Sequence, residues 1–269
     1  MSRISGVFAL LRAQKRCALI PYITAGDPDP ELTVPLMHAL VDAGADIIEL
    51  GVPFSDPMAD GPIIQRAGER ALAQGVGLRH VLQMVQAFRK NDKTTPVVLM
   101  GYANPIEALG IEAFASLASD AGVDGVITVD YPPEEAGQFI QAVKRVGIDP
   151  VFLLSPTTPS ERCNLILKQA SGFIYYVSLR GVTGASNFDI EDVKTQIGII
   201  RSRTELPVGV GFGIRDPEAA AEVAVFADAV IIGSRLVAEV EAAGKDSVRR
   251  LAELLRKFRQ AVDAVTRQV

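Results

Sequence analysis

The chain is poor in the residues that build thiol and metal chemistry. Across 269 residues it carries two cysteines and two histidines. Cys17 and Cys163 lie far apart, with no CxxC partner and no metal-ligand spacing. Buried or inert thiols are therefore expected, not a disulfide or a redox pair. His38 and His80 both fall in helical segments. No His/Asp/Glu cluster has ligand spacing, which disfavours a zinc-dependent aldolase or hydrolase. No apolar run reaches membrane-spanning length, and the opening MSRISGVFALLRAQKR is too broken by charge for a signal segment. A cytoplasmic location is the default expectation. The net charge is −5 and no basic stripe stands out, which argues against a nucleic-acid binder. Arg249, Arg250, Arg256 and Arg259 do cluster, but Leu251, Leu254, Leu255 and Phe258 interleave them at helical spacing. They read as the solvated face of a last helix.

What is present is alternation. Short, almost wholly apolar runs recur at Ala18–Thr24, Ile47–Val52, Val97–Tyr102, Gly125–Asp130, Pro150–Ser155, Phe173–Ser178, Pro207–Phe212 and Ala229–Gly233. Such runs suit strands buried on both faces of a parallel sheet. Amphipathic stretches separate them: Glu31–Ala43, Pro62–Arg70 with Leu78–Lys90, Ile111–Ala121, Glu134–Val146, Ser160–Ala170, Asp189–Arg203, Pro217–Phe226 and Asp246–Arg267. Asp29-Pro30, Ser160 after Pro159, and Asp216-Pro217 read as helix starts. Eight βα units in this length predict an α/β fold, a single (β/α)8 barrel spanning residues 1–269. The first sixteen residues read as an extra N-terminal helix plugging one face. A doubly wound open sheet is the runner-up, but the first strand ends Thr24-Ala25-Gly26-Asp27-Pro28, without the GxGxxG turn that fold often carries.

In a barrel of this kind the chemistry sits at the C-terminal ends of the strands. Glu49 lies inside the apolar run Ile47–Val52, and Asp60 closes the Pro-, Gly- and Asp-rich loop after it. A buried acid is costly unless it has a task. Glu49 reads as a general acid–base whose pKa burial raises toward neutrality, or else as a structural ion pair. Asp60 reads equally as a second acid in the chemistry or as a turn or cap residue. Asp130 has the same ambiguity, with a turn favoured. Tyr22, Met100 and Phe212 line a pocket for a flat apolar group or belong to ordinary core.

Glycines cluster at three consecutive strand ends: Gly181 to Asn187, Gly209 to Gly213, and Gly233 with Ser234. Together they predict a phosphate cradle of backbone N–H groups. The segment Leu179 to Phe188 is long for such a loop, as a lid would be. No lysine falls at a strand C-terminal end, which disfavours a Schiff-base aldolase. What remains is acid–base chemistry on a phosphorylated substrate. If a carbon–carbon bond breaks, the substrate must itself accept the electrons, as a protonated heteroaromatic ring does.

Nearly end to end, the chain resembles the α subunits of tryptophan synthase. The resemblance rests on Pro21 to Pro28, on Glu49-Leu50-Gly51-Val52-Pro53-Phe54-Ser55-Asp56-Pro57-Met58-Ala59-Asp60-Gly61-Pro62, on Met100 to Pro105, on the Tyr175 strand with Gly181 to Gly184, and on Gly211 to Ile214. It implies a TIM barrel that splits indole-3-glycerol phosphate into indole and glyceraldehyde 3-phosphate. It implies Glu49 as the acid–base, Asp60 as partner of the ring N–H, and Tyr175 as a positioning group. Gly184, Gly213, Gly233 and Ser234 would hold the phosphate. Tyr22, Met100, Tyr102, Ile127 and Phe212 would surround the indole, with Thr183 in the lid. A β subunit carrying pyridoxal phosphate is the implied partner in an αββα heterotetramer. Pro53, Asp56 and Asn104 would touch it, and no cofactor is expected in this chain. A stand-alone lyase without a β subunit is the alternative. Two places depart from the family pattern: Pro105-Ile106-Glu107-Ala108-Leu109-Gly110, where aromatics are expected, and the lid opening Leu179-Arg180-Gly181.

Overall fold

The computed structural model of the protein describes residues 2–178, 190–211 and 213–267. Its strands are β1 (Ala18–Thr24), β2 (Ile48–Gly51), β3 (Val97–Gly101), β4 (Gly125–Thr128), β5 (Asp149–Pro150), β6 (Phe152–Leu154), β7 (Ile174–Val177), β8 (Val208–Gly211) and β9 (Ala229–Ile232). All pairings are parallel, in the order β5-β4-β3-β2-β1-β9-β8-β7-β6. The fifth predicted strand is therefore split. The ladder to β4 runs past Pro150, with Asp149 N–H donating to Asp124 O and Val151 N–H to Val126 O (each 2.9 Å). On the other side, where the Pro150 carbonyl accepts from Ser171 N–H (3.0 Å), Pro150 has no N–H to give. With β5 on β4 and β6 on β7, the two pieces close the sheet into a barrel of eight strand positions.

Side chains alternate across these strands. One set packs outward against the helices, Leu19, Ile48, Leu50, Leu99, Val126 and Val210 among it. The other fills the barrel: Ala18, Ile20, Ile47, Val98, Ile127, Val151, Phe173, Tyr175, Ala229 and Ile231. The parity that puts Ile47 inside puts Glu49 and Gly51 inside as well. The floor is closed by helix α1 (Arg3–Ala13), whose Ile4, Phe8 and Leu11 join the interior set, with the Phe8 ring 5.8 Å from Phe173. This is the plug expected of the N-terminal segment.

The helices outside the barrel are α2 (Pro30–Asp42), α3 (Pro62–Ala73), α4 (Leu78–Phe88), α5 (Ala103–Leu109), α6 (Ile111–Ala121), α7 (Gly137–Arg145), α8 (Ser160–Gln169), α9 (Ile190–Arg201), α10 (Pro217–Ala224), α11 (Ser234–Ala243) and α12 (Ser247–Asp263). Asp29 and Asp216 cap as expected, accepting from Glu31 N–H and Ala219 N–H (each 2.9 Å). Ser160 does not cap; Pro159 holds that position and makes no side-chain bond. Two helices, α5 and α11, were not anticipated. Arg259 also departs from expectation. Instead of facing solvent it is buried, donating to Asp46 (2.9 Å) and to the Cys17 carbonyl (3.2 Å). Both cysteines are free and buried, and burial pushes the Cys17 thiol up to about 12. His38 packs its ring on Phe88 (4.7 Å), and His80 Nδ1 accepts from Gly77 N–H (3.3 Å). Both histidines are structural. No described helix is long and apolar enough to cross a membrane.

Candidate active site

At the C-terminal end of the barrel lies a cavity of about 520 Å3. Glu49 sits on its wall and is only 1% exposed. Its Oε2 is buried with no hydrogen-bond partner among the described residues. Loss of hydration, then the nearby charge of Asp60, raises its pKa from 4.5 to about 8. The structural ion-pair reading fails, since no cation pairs with this carboxyl among the described residues. Glu49 is held as a neutral acid at neutral pH, on the wall of the cavity.

Two tyrosines flank it. Tyr22 is the register partner of Glu49 across β1 and β2. Tyr175 enters from β7 on the cavity wall. Each phenol lies over a glycine of the neighbouring strand, Gly51 under Tyr22 and Gly211 under Tyr175. A Cβ at either glycine would overlap the hydroxyl, so the close approach requires glycine. Both phenols are pushed to higher pKa by burial, with Glu49 adding to the effect, and stay neutral.

Asp60 closes the loop after β2. Its pKa is raised by burial, and a hydrogen bond from Tyr102 works against the rise. The same Tyr102 hydroxyl accepts from Ala59 N–H (3.1 Å), and Gln65 Nε2 donates to the Asp60 carbonyl (2.8 Å). The loop is thus tied to β3 and to the first turn of α3, with its acid within electrostatic reach of Glu49. Asp130 is a capping residue, accepting from Ala103 N–H at the start of α5 (2.8 Å).

The cavity wall also includes Gly213, which follows β8, and Gly233 and Ser234, where β9 turns into α11. The N-terminus of that helix offers backbone N–H groups and a favourable dipole to an anion. Arg215 and Arg235 line the same wall. Arg235 pairs with Glu239 (3.0 Å), whereas Arg215 is exposed and has no ion-pair partner among the described residues.

Of the residues singled out in the sequence, Glu49, Tyr22, Tyr175, Met100, Gly213, Gly233 and Ser234 line one cavity. Two expected wall residues do not. Ile127 is the register partner of Met100 but is wholly buried in the barrel interior. Tyr102 is buried behind the loop, where its hydroxyl is occupied by Ala59 and Asp60. Thr183, Gly184 and Phe212, with Arg180, lie outside the described residues. Asp56 and Asn104 are exposed, but Pro53 is buried, drawn in where Phe54 packs on Tyr102 (5.1 Å). Ile63, Ile64, Ile231, Arg215, Arg235 and Ala238 were missed as lining residues. The spacing of Leu236, Val237 and Val240 after a glycine turn was the signal for α11. No described group of His, Cys, Asp and Glu is arranged to hold a metal ion.

The family model for "Tryptophan synthase alpha chain" matches residues 8–266. The chain belongs to the tryptophan synthase alpha chain family. It is 61% identical over 265 residues to the tryptophan synthase alpha chain of Ralstonia nicotianae, covering 98% of this chain and 100% of that one. It is 59% identical over 266 residues to that of Paraburkholderia phymatum, covering 98% of each. Among solved structures it is similar to tryptophan synthase subunit alpha from Legionella pneumophila, with TM-score 0.92, 48% identity and 98% and 100% of the two chains covered. A tryptophan synthase structure from M. tuberculosis, in an aminoacrylate-bound form, aligns with TM-score 0.87 and 38% identity over 97% of this chain and 100% of that one. The α/β barrel is thus the family's fold.

Proposed function

We propose that the chain is the lyase subunit that cleaves indole-3-glycerol phosphate to indole and glyceraldehyde 3-phosphate in tryptophan biosynthesis, with the roles of its residues as follows. The observation that carries the reading is Glu49, a neutral acid with an unpartnered oxygen, in the same cavity as a helix N-terminus suited to phosphate. Glu49 gives its proton to C3 of the indole. The ring nitrogen takes up the positive charge, and Asp60, ionised, accepts a hydrogen bond from the ring N–H. Glu49, now a carboxylate, removes the proton from the side-chain hydroxyl next to the ring. The carbon–carbon bond then breaks, and its electrons return to the ring and neutralise the nitrogen. Glyceraldehyde 3-phosphate leaves as the aldehyde, with Glu49 protonated as at the start. Tyr22 and Tyr175 restrict where the ring lies beside Glu49. Gly213, Gly233 and Ser234 hold the phosphate through N–H groups, and Gly184, Thr183 and Phe212 belong to the same reading.

The partner is a β subunit, and pyridoxal phosphate belongs to that subunit and not to this chain. An αββα assembly in the cytoplasm completes the reading. Asp56, Asn104 and Met58, the last 84% exposed, offer a surface for it. So does an open groove of about 480 Å3 lined by Leu72, Val76, Leu78, Pro105 and Leu109, beside Asn104. Apolar surface of this kind is commonly covered in an assembly. A stand-alone lyase draws no support from relatives named as alpha chains.

The test is incubation with indole-3-glycerol phosphate, with and without a cognate β subunit, while indole is assayed. Indole release, faster with the partner, is expected. No indole under either condition overturns the reading.

A further inference from the structure

α3 and α11 stand side by side and both wall the cavity, the first with Ile63 and Ile64, the second with Ser234 and Ala238. α3 starts just after Asp60, and α11 starts at Ser234. The placement of one helix against the other therefore sets the span between the acid for the ring N–H and the phosphate cradle. The inner side of their seam is apolar, with Ile64, Ala67 and Val237 packed against Tyr22.

The outer side is closed by charge. Arg66 donates from Nε and Nη2 to the two oxygens of Glu241 (3.1 and 3.0 Å). Arg70 Nη1 donates to Glu241 Oε1 (2.8 Å), while its Nε and Nη2 reach the two oxygens of Asp27 (2.7 and 3.0 Å). Asp27 is buried just beyond β1, the strand that carries Tyr22. Two guanidinium groups thus tie the end of β1, α3 and α11 together. Of these four residues Glu241 alone belongs to α11.

We propose that Glu241 is a positioning residue that fixes the span between Asp60 and the phosphate cradle, a role that rests on the substrate reading above. Stability is not its main contribution. The Arg66 and Glu241 side chains are 49% and 35% exposed, and pairs so open to water add little to folding. Their geometry is another matter. A bidentate Arg–carboxylate contact fixes orientation as well as distance. A misplacement of about 1 Å is enough to cost a large factor in rate.

The experiment compares a whole ligand with its halves. An unreactive indole-3-alkyl phosphate spans both sites, whereas indole and glycerol 3-phosphate each fill one. Glu241→Gln keeps the shape and removes the charge. It is expected to weaken the whole ligand about tenfold, raise KM for cleavage in step, and leave each half within about twofold of wild type. Arg66→Gln should behave alike, and carries the comparison if the first variant does not fold. Arg70→Gln is not used, because it strips the buried Asp27 of its cation. Equal weakening of whole ligand and halves, or no weakening of the whole ligand, overturns the assignment. A wild type that fails to bind the whole ligand overturns the substrate reading, and this one with it.

Discussion

Tyr22 and Glu49 are partners in the parallel register of β1 and β2, so phenol and carboxyl enter the barrel interior from adjacent strands at one level. Gly51, two residues beyond Glu49, leaves the space that the Tyr22 hydroxyl occupies. Gly51→Ala should therefore displace the ring that bounds the cavity beside the acid. The expected cost is about 1–3 kcal/mol of stability and roughly a tenfold or greater loss in kcat/KM. Thermal unfolding and steady-state assay of the purified variant check both. Wild-type values would mean that Tyr22 has room to move.

Glu49→Gln should abolish cleavage while an indole alkyl phosphate still binds. The same substitution should change how stability depends on pH. The folded pKa of Glu49 lies near 8 and its ordinary value is 4.5. Between those values the folded chain keeps a proton that the unfolded chain releases. Stability from this group is full below 4.5 and is lost as pH rises through about 8. The loss is on the order of 3–5 kcal/mol for a shift of this size. Glutamine removes that dependence. The variant should match wild type near pH 5 and exceed it near pH 9 in urea midpoint. The same titration predicts a wild-type cleavage rate that falls above about pH 8, as the acid form disappears.

Much of this site was readable in the chain because two periodicities carry it. The apolar runs of β1, β2 and β4 gave the barrel, and the parity of Ile47, Glu49 and Gly51 placed the acid inside. What was not readable depends on contacts distant in sequence. Tyr102 reads as a cavity residue until Ala59 and Asp60 claim its hydroxyl. Ile127 has the right parity but is wholly buried among the interior side chains. Arg259 reads as solvated until Asp46, far away in the chain, meets it. α11 was missed because it follows β9 with no linker, and with it went Glu241.

Tyr102→Phe tests the division of work in the loop after β2. The hydroxyl accepts from Ala59 N–H (3.1 Å) and donates to Asp60, which holds down the pKa that burial raises. Without it the Asp60 carboxyl should titrate at higher pH. Asp60 must be ionised to stabilise the charged ring, so activity is lost on the acid side as this group protonates. The acid limb of the pH–rate profile should therefore move to higher pH in the variant, with the alkaline limb of Glu49 in place. A profile that drops evenly at every pH would instead mean that the phenol only supports the loop.

The far end of the barrel should respond in the opposite way. Asp124, 4% exposed at the start of β4, accepts from Val97 N–H (2.8 Å), from Arg3 Nη1 (2.8 Å) and from Arg89 Nη2 (2.6 Å). Asp46 and Asp228 do the same for the N–H of Leu19 (2.8 Å) and Val208 (2.9 Å), each from the residue run leading into the next strand. Asp149, at the start of β5, accepts instead from the hydroxyls of Ser2 and Ser171 (2.6 and 2.7 Å). Asp124, Asp46 and Asp228 also meet arginines, Arg89, Arg259 and Arg201 in turn, at the face remote from Glu49. Asp124→Asn keeps the shape but leaves Arg89, 10% exposed, without its buried counter-charge. Removing one partner of such a pair costs about 3 kcal/mol or more. The urea midpoint should fall accordingly. KM and kcat, measured well below the new midpoint, should stay at wild-type values, because the strand starts serve the barrel's assembly and not the chemistry at its other end.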